Sequence, residues 1–298
     1  MALGSYVTKF TSNLDKICER EALTTDLTMN QDLVGEVTAA GEVKVAKMAM
    51  DGLGNYSRTD GFARGSVTTD WETVKLRYDR GREFEVDAMD DEERAAVVSA
   101  NVMAEFERTK VIPEVDAVRF AAICANAGGT AAAALTTADA ALKAVLAGEQ
   151  AVEDAGAQLS GCVLYCTSAV KGLLRQAQNY RIGQGEDPNG TFATFDEMKL
   201  VTVPSARFQS AVKLYDGKTT EALDQTAGGF VPDTTAKAIN FMIVDPSAVA
   251  AIAKHKQLRY FAPETNQDKD AHKWQYRIFH DLFVYENKKP LVYVHTAK

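Results

Sequence analysis

Histidine titrates near neutrality and ligates metals, so the four histidines are the first residues to weigh for chemistry. His255, His272, His280 and His295 form no H-x-x-x-H or H-E-x-x-H pair, the spacing that sets two imidazoles on one helical face around zinc. His280 stands beside Asp281 and three residues after Arg277. An imidazole oriented by a carboxylate is half of an acid–base site, and the competing reading is a polar bridge at a strand end. The glycine-rich stretch GQGEDPNG at 183–190 lacks the Lys-Ser/Thr ending of a phosphate loop and is acidic where phosphate would sit, so it reads as a hairpin turn. Ser168 has no G-x-S-x-G elbow and reads as a helix cap. Asp90, Asp91, Glu92 and Glu93 suit a helix start, where carboxylates complement the macrodipole and form a capping box. Cys18, Cys124, Cys162 and Cys166 make neither a disulfide framework nor zinc spacing. No catalytic residue, cofactor or metal ligand is expected.

What must be positioned is therefore contact surface. The 298 residues, 46% hydrophobic and 25% charged, suit a folded chain of about two domains. The longest apolar runs, CVLYC at 162–166 and INFMIV at 239–244, are far shorter than a membrane span. The first residues lack a basic stretch followed by an apolar one, and Gly4 is misplaced for myristoylation, so no export or anchoring signal is expected. A net charge of −8 disfavours a broad nucleic-acid-gripping face.

Residues 1–35 show no clean period and read as an arm whose order depends on its contacts. GEVKVAKMAM from Gly41 and TTDWETVKLRYDRGREFEVDAM from Thr68 read as the two strands of one long hairpin, joined by a glycine-rich tip at 51–66. A two-stranded hairpin of this length is marginal alone and must lie on something. The helix begun at Asp90 is expected to stop near Lys110, because Pro113 disfavours helical geometry at Ile112, and Pro113 starts a second helix ending at Gly128–Gly129. Thr136 with Asp139 caps an alanine-rich helix to about Gly148; residues 162–166, 199–203 and 239–244 read as strands and 168–179 as a helix. Asp245–Pro246 reads as the start of a helix through Lys254, and WQYRIFHDLFVYE and LVYVHT as late strands.

In this order the elements resemble a tailed-phage major capsid protein of the HK97-like fold. The stretches that carry the likeness are TTDWETVKLRYDRGREFEVDAMDDEE running into FERTKVIPEVDAVRFAAICANAG, and INFMIVDPSAVAAIAKHKQLRYFAPETNQDKDAHKWQYRIFHDLFVYENKK. The resemblance implies an α+β chain with an N-terminal arm (1–35), an extended loop (36–88), a peripheral domain with spine helix and long sheet (89–130 and 257–298) and a compact axial domain (131–256). It implies a virion shell subunit, assembled in host cytoplasm into hexamers and pentamers of an icosahedral shell around double-stranded DNA, with scaffold and portal proteins as assembly partners and no membrane. Leu53, Phe62 and Trp71 would then bury apolar surface on a neighbouring copy, with Arg58, Arg64, Arg77, Arg80 and Arg82 as cross-subunit charge partners. An arm that starts almost at Met1 implies no cleaved scaffolding segment, and a tip without lysine between Asp51 and Asp70 implies no covalent isopeptide, Lys47 and Lys75 being the nearest lysines. The same fold would serve an encapsulin-like compartment shell; a small-molecule enzyme built on His280, Asp281 and Arg277 is the remote alternative.

Overall fold

The computed structural model describes residues 22–28, 42–59, 61–89, 103–177, 182–187, 190–221 and 223–298. The strands in chain order are β1 (Glu42–Met50), β2 (Val67–Lys75), β3 (Tyr78–Asp87), β4 (Gly129–Ala132), β5 (Val163–Thr167), β6 (Ile182–Asp187), β7 (Gly190–Phe195), β8 (Met198–Val203), β9 (Val212–Leu214), β10 (Phe230–Pro232), β11 (Ile239–Val244), β12 (Val249–Phe261), β13 (Ala271–Val284) and β14 (Val292–Thr296). The helices are α1 (Ile112–Asn126), α2 (Ala138–Asp154) and α3 (Ser168–Gln176). A seven-stranded mixed sheet has the order β4-β14-β11-β5-β8-β7-β6; a second sheet has the order β12-β13-β3, and β1-β2 and β9-β10 are separate hairpins.

The short apolar runs become the centre of the large sheet because both of its faces are covered. Val163 and Tyr165 of β5, with Met242 and Val244 of β11, join Phe120 and Ile123 of α1 in one core. Leu164 and Cys166, with Phe241 and Ile243, pack against Val145 of α2 and Leu174 of α3 in the other. The two-residue period of a strand thus sends alternate side chains into two cores. Burial pushes the Cys162 and Cys166 thiols up to about 12, so neither supplies a thiolate at neutral pH.

Several expectations are corrected. The long strand from Thr68 breaks at Leu76–Arg77: β2 pairs β1 from Glu42↔Lys75 to Met50↔Val67, whereas β3 leaves the hairpin and pairs β13 from Asp87↔Ala271 to Tyr78↔His280. The helical run does not stop before Pro113. A π-turn at Glu107–Val111 continues into α1, with φ/ψ of −72°/−52° at Val111 and −58°/−49° at Ile112. The wider turn accommodates a residue that lacks an N–H and crowds the carbonyl four positions back. The helix expected to begin at Asp90 is preceded by helical Ala88 and Met89, with Asp87 Oδ1 accepting from Met89 N at 3.0 Å; residues 90–102 lie outside the described residues.

The caps shift by one residue. Thr137, not Thr136, accepts from Ala140 N at 3.3 Å, and Thr167, not Ser168, accepts from Val170 N at 3.3 Å. Helix α2 runs past Gly148 because this glycine is a contact, not a stop: a Cβ there would lie 2.8 Å from Cδ1 of Tyr293. The stretch 183–190 is mostly strand, pairing as far as Asp187↔Gly190. Gly185 lies under Phe192, whose Cζ would be 2.5 Å from an added Cβ.

The expected helix at 246–254 is a single 3₁₀ turn, Pro246–Ala248, followed by thirteen residues of β12. Asp245 caps only that turn, Oδ1 accepting from Ser247 N at 2.8 Å. Pairing with β13 along the strand overrides the local helical preference of alanines 250, 251 and 253. The boundary expected at 256/257 therefore falls inside β12, and β14 pairs β11 in the seven-stranded sheet rather than joining the sheet of β13.

Most of the arm at 1–35 lies outside the described residues. Its described part is pinned to the body: Leu27 is fully buried, Thr24 Oγ1 donates to Asp116 Oδ1 at 2.8 Å, and Arg119 Nη1 donates to Thr24 Oγ1 at 2.7 Å.

Candidate assembly surface

The β1–β2 hairpin has two faces with different fates. Val43 and Val45 point to one side and are buried with Leu76, Ala250, Ile252 and Phe283, which seats the base of the hairpin on the end of the β12–β13 ladder. Lys47, in the same phase, pairs with Glu286. Met48 and Met50 lie in the opposite phase; their cross-strand partners are Thr69 and Val67, and Trp71 follows on the same face. Met48 is 56% exposed, Met50 70%, Val67 62% and Trp71 65%. The body covers the other face near the base of the hairpin, whereas this stripe is exposed among the described residues.

The tip continues the apolar surface. Ser57 and Gly61 exchange backbone hydrogen bonds of 3.0 and 2.8 Å, and Gly61 adopts a φ of 79° that suits glycine. This turn sets Tyr56 against Phe62, ring centroids 4.9 Å apart, with Phe62 86% exposed and Leu53 wholly so. Asp51 closes the tip, its N donating to Ser66 O at 3.2 Å and its Oδ2 accepting from Ser66 N at 2.7 Å. Large apolar side chains scattered singly are ordinary; a row of them on one projecting element marks a contact surface.

The predicted residues divide into two groups. Leu53, Arg58, Phe62 and Arg64 lie in the tip and Trp71 within β2, and all are exposed. Arg77, Arg80 and Arg82 do not join them; the structure gives these three partners within the chain. Arg77 holds the buried Asp281 through Nε at 2.9 Å and Nη2 at 3.2 Å. This pairing raises the Arg77 pKa further, against the desolvation that opposes it. Arg80 grips Glu114 at 2.6 and 3.1 Å and donates from Nη1 to Tyr215 O at 2.7 Å, and Arg82 donates to Thr226 O at 3.0 Å. They tie β3 to the sheet, to α1 and to the 215–230 loop.

Sequence reading missed Met48, Met50, Tyr56 and Val67. A signal for the methionines was present: in EVKVAKMAM the valines and methionines occupy opposite phases of the strand, so the apolar face switches sides midway.

The remote enzyme reading loses its geometry. Residues 277 and 281 share one face of β13 and His280 the other, so the three side chains do not converge. Arg277 pairs with Asp79 at 2.5 Å, Asp281 with Arg77 at 2.9 Å, and His280 stacks on Tyr78 with centroids 5.9 Å apart. Burial, reinforced by nearby Arg119, pulls the His280 pKa down to about 4, leaving the ring neutral at pH 7. Among the described residues no grouping of three His, Cys, Asp or Glu side chains could hold a metal.

No family profile matches the sequence, and no curated protein matches it. Solved structures do match over most of its length. It is similar to the capsid of cyanophage P-SCSP1u, with a TM-score of 0.59 at 9% identity over 90% of this chain and 87% of that one. It is similar to the mature capsid of bacteriophage PhiM1, with a TM-score of 0.54 at 14% identity over 88% and 84%. It is likewise similar to a virus-like particle from Pyrococcus furiosus, with a TM-score of 0.54 at 10% identity over 97% and 99%. The chain has the mixed α+β fold of these shell subunits.

Proposed function

We propose that this chain is the major capsid protein of a tailed phage, self-assembling through hexamers and pentamers into an icosahedral shell around double-stranded DNA. The observation that carries the reading is the hairpin, anchored at its base on one face and bare on the other along Met48, Met50, Val67 and Trp71. The natural cover for such a stripe in a shell of this fold is another copy of the chain, burying each side chain for about 1.5–3 kcal/mol. Modest contacts suffice because a closed lattice repeats them. In this reading residues 42–75 form the extended loop, β3, β12 and β13 with the helix through α1 form the peripheral domain, and the seven-stranded sheet with α2 and α3 forms the axial domain. Arg58 and Arg64 set register at the rim, where an exposed ion pair contributes about 0–1 kcal/mol.

A second reading, an encapsulin-like shell around protein cargo, draws support from the nearly end-to-end match to the Pyrococcus particle. Light scattering and negative-stain microscopy across concentration and salt test both readings. Rings or closed shells are expected; nucleic acid inside them selects the phage, and protein selects the compartment. A chain that stays monomeric at every concentration, alone and co-expressed with a candidate scaffold, refutes both.

A further inference from the structure

Between the helical run Met103–Asn126 and the β12-β13-β3 sheet lies a cavity of about 430 Å³, closed on one side by the 215–230 loop. Its volume is at the small end for a ligand pocket. Phe84, Phe106 and Tyr276 give it an aromatic wall, with Phe106 4.7 Å from Phe84 and 5.8 Å from Tyr276 between ring centroids. Phe230 also lines it, from the 215–230 loop. His280 lines the cavity at 1% exposure, and its Nδ1 has no hydrogen-bond partner.

The rim is cationic in a chain of net charge −8. Arg82 and Lys110 are exposed there, and among the described residues neither has a carboxylate partner. Glu114 is neutralised by Arg80. Asp216 accepts from the Thr219 hydroxyl, and from Lys218 N and Thr219 N at 2.9 Å each, which holds its pKa down to about 2 and keeps it ionised, so Arg82 and Lys110 outweigh it at the rim by a single positive charge.

The backbone keeps the entrance clear. The π-turn supplies Thr109, Lys110 and Val111 as one edge, and a π-turn in a helix often marks a functional site. Gly217, Gly228 and Gly229 form the other edge with φ of 75°, 67° and 85°. A Cβ on Gly217 would come within 2.9 Å of Arg82 Nη1.

We propose that this cavity binds an acidic peptide segment bearing an aromatic or aliphatic side chain. The apolar side chain enters between Phe84, Phe106 and Phe230, and flanking carboxylates pair with Arg82 and Lys110 at the rim. A cavity this small takes an anchor side chain rather than a whole ligand, and cations at its mouth suit residues on either side of that anchor. The site belongs to a single chain, so it stands or falls separately from shell formation.

The test uses the full chain and a fluorescein-labelled peptide of about a dozen alternating glutamates and phenylalanines, read by anisotropy. Saturable binding that weakens with salt is expected. Lys110→Glu, at an exposed side chain, should weaken it about tenfold with the circular dichroism unchanged, and Arg82→Glu, which also gives up the hydrogen bond to Thr226 O, should weaken it at least as much. Phe230→Ser should weaken it without altering the salt slope. The proposal is overturned if the charge-reversed chains bind as before, if a peptide with serine in place of phenylalanine binds equally, or if a DNA oligonucleotide of equal charge competes as well as the peptide.

Discussion

Strands β5 and β11 and the hairpin strands β1 and β2 are built from similar strand-forming residues, yet they end in opposite circumstances. Along β5 and β11 both phases of the strand are covered, by α1 on one face and by α2 and α3 on the other. Along the hairpin only the phase of Val43 and Val45 is covered, and only near the base. The first pair completes its burial within the chain. The second leaves on its surface the kind of side chain that the first encloses, the mark of a contact surface.

The sharpest way to break this comparison is to remove the bare stripe. Met48→Ser, Met50→Ser and Trp71→Ser together are expected to abolish assembly while leaving the melting temperature of the free chain within a few degrees, since each of these residues is more than half exposed among the described residues. Analytical ultracentrifugation and calorimetry check the two halves; shells formed by the triple variant would sink the assignment. The converse change, Ile243→Ala in β11, removes a fully buried side chain and is expected to cost about 2–5 kcal/mol in urea unfolding. A loss below about 1 kcal/mol would mean that the central sheet is not the stability core.

Arg77→Ala probes the joint between the two regions, because Arg77 sits where β2 ends and β3 begins. The loss leaves the buried Asp281 carboxylate without its cation and is expected to cost about 1–3 kcal/mol. Loss of assembly at unchanged monomer stability would instead make Arg77 a cross-subunit partner.

Legibility in the sequence followed how local the determining interaction is. The apolar runs at 162–166 and 239–244 are complete signals in themselves, and both became central strands. The glycine-rich tip and the types of Leu53, Phe62 and Trp71 were equally local. The break at Leu76–Arg77 was not, because β3 is drawn away by β13 nearly two hundred residues later and the join is fixed by Asp281 across a separation of 204. Arg80 finds Glu114 and Tyr215 across separations of 34 and 135. A charged residue announces that it needs a partner and says nothing about which one. The helix expected after Pro246 failed for the same reason, since alanine's local preference is weaker than a full ladder to β13.

A smaller effect sharpens the picture of the enclosed region. Glu149 of α2 is 4% exposed, one carboxylate oxygen has no hydrogen-bond partner, and Glu153 and Asp196 bring like charge near it. Burial first, and these neighbours second, push its pKa up to about 7, so the folded chain holds a proton that an unfolded glutamate releases near 4.5. The folded state is therefore favoured most below about pH 4.5 and loses that advantage as pH rises through about 7. Glu149→Gln keeps the shape and removes the charge. It is expected to match the parent near pH 4.5 and to be more stable by about 1–2 kcal/mol at pH 8, the gap opening between those values. Denaturant unfolding of both proteins across that range decides it: parallel curves would mean that Glu149 reaches water when it ionises, and that the enclosed region opens more readily than the hairpin comparison implies.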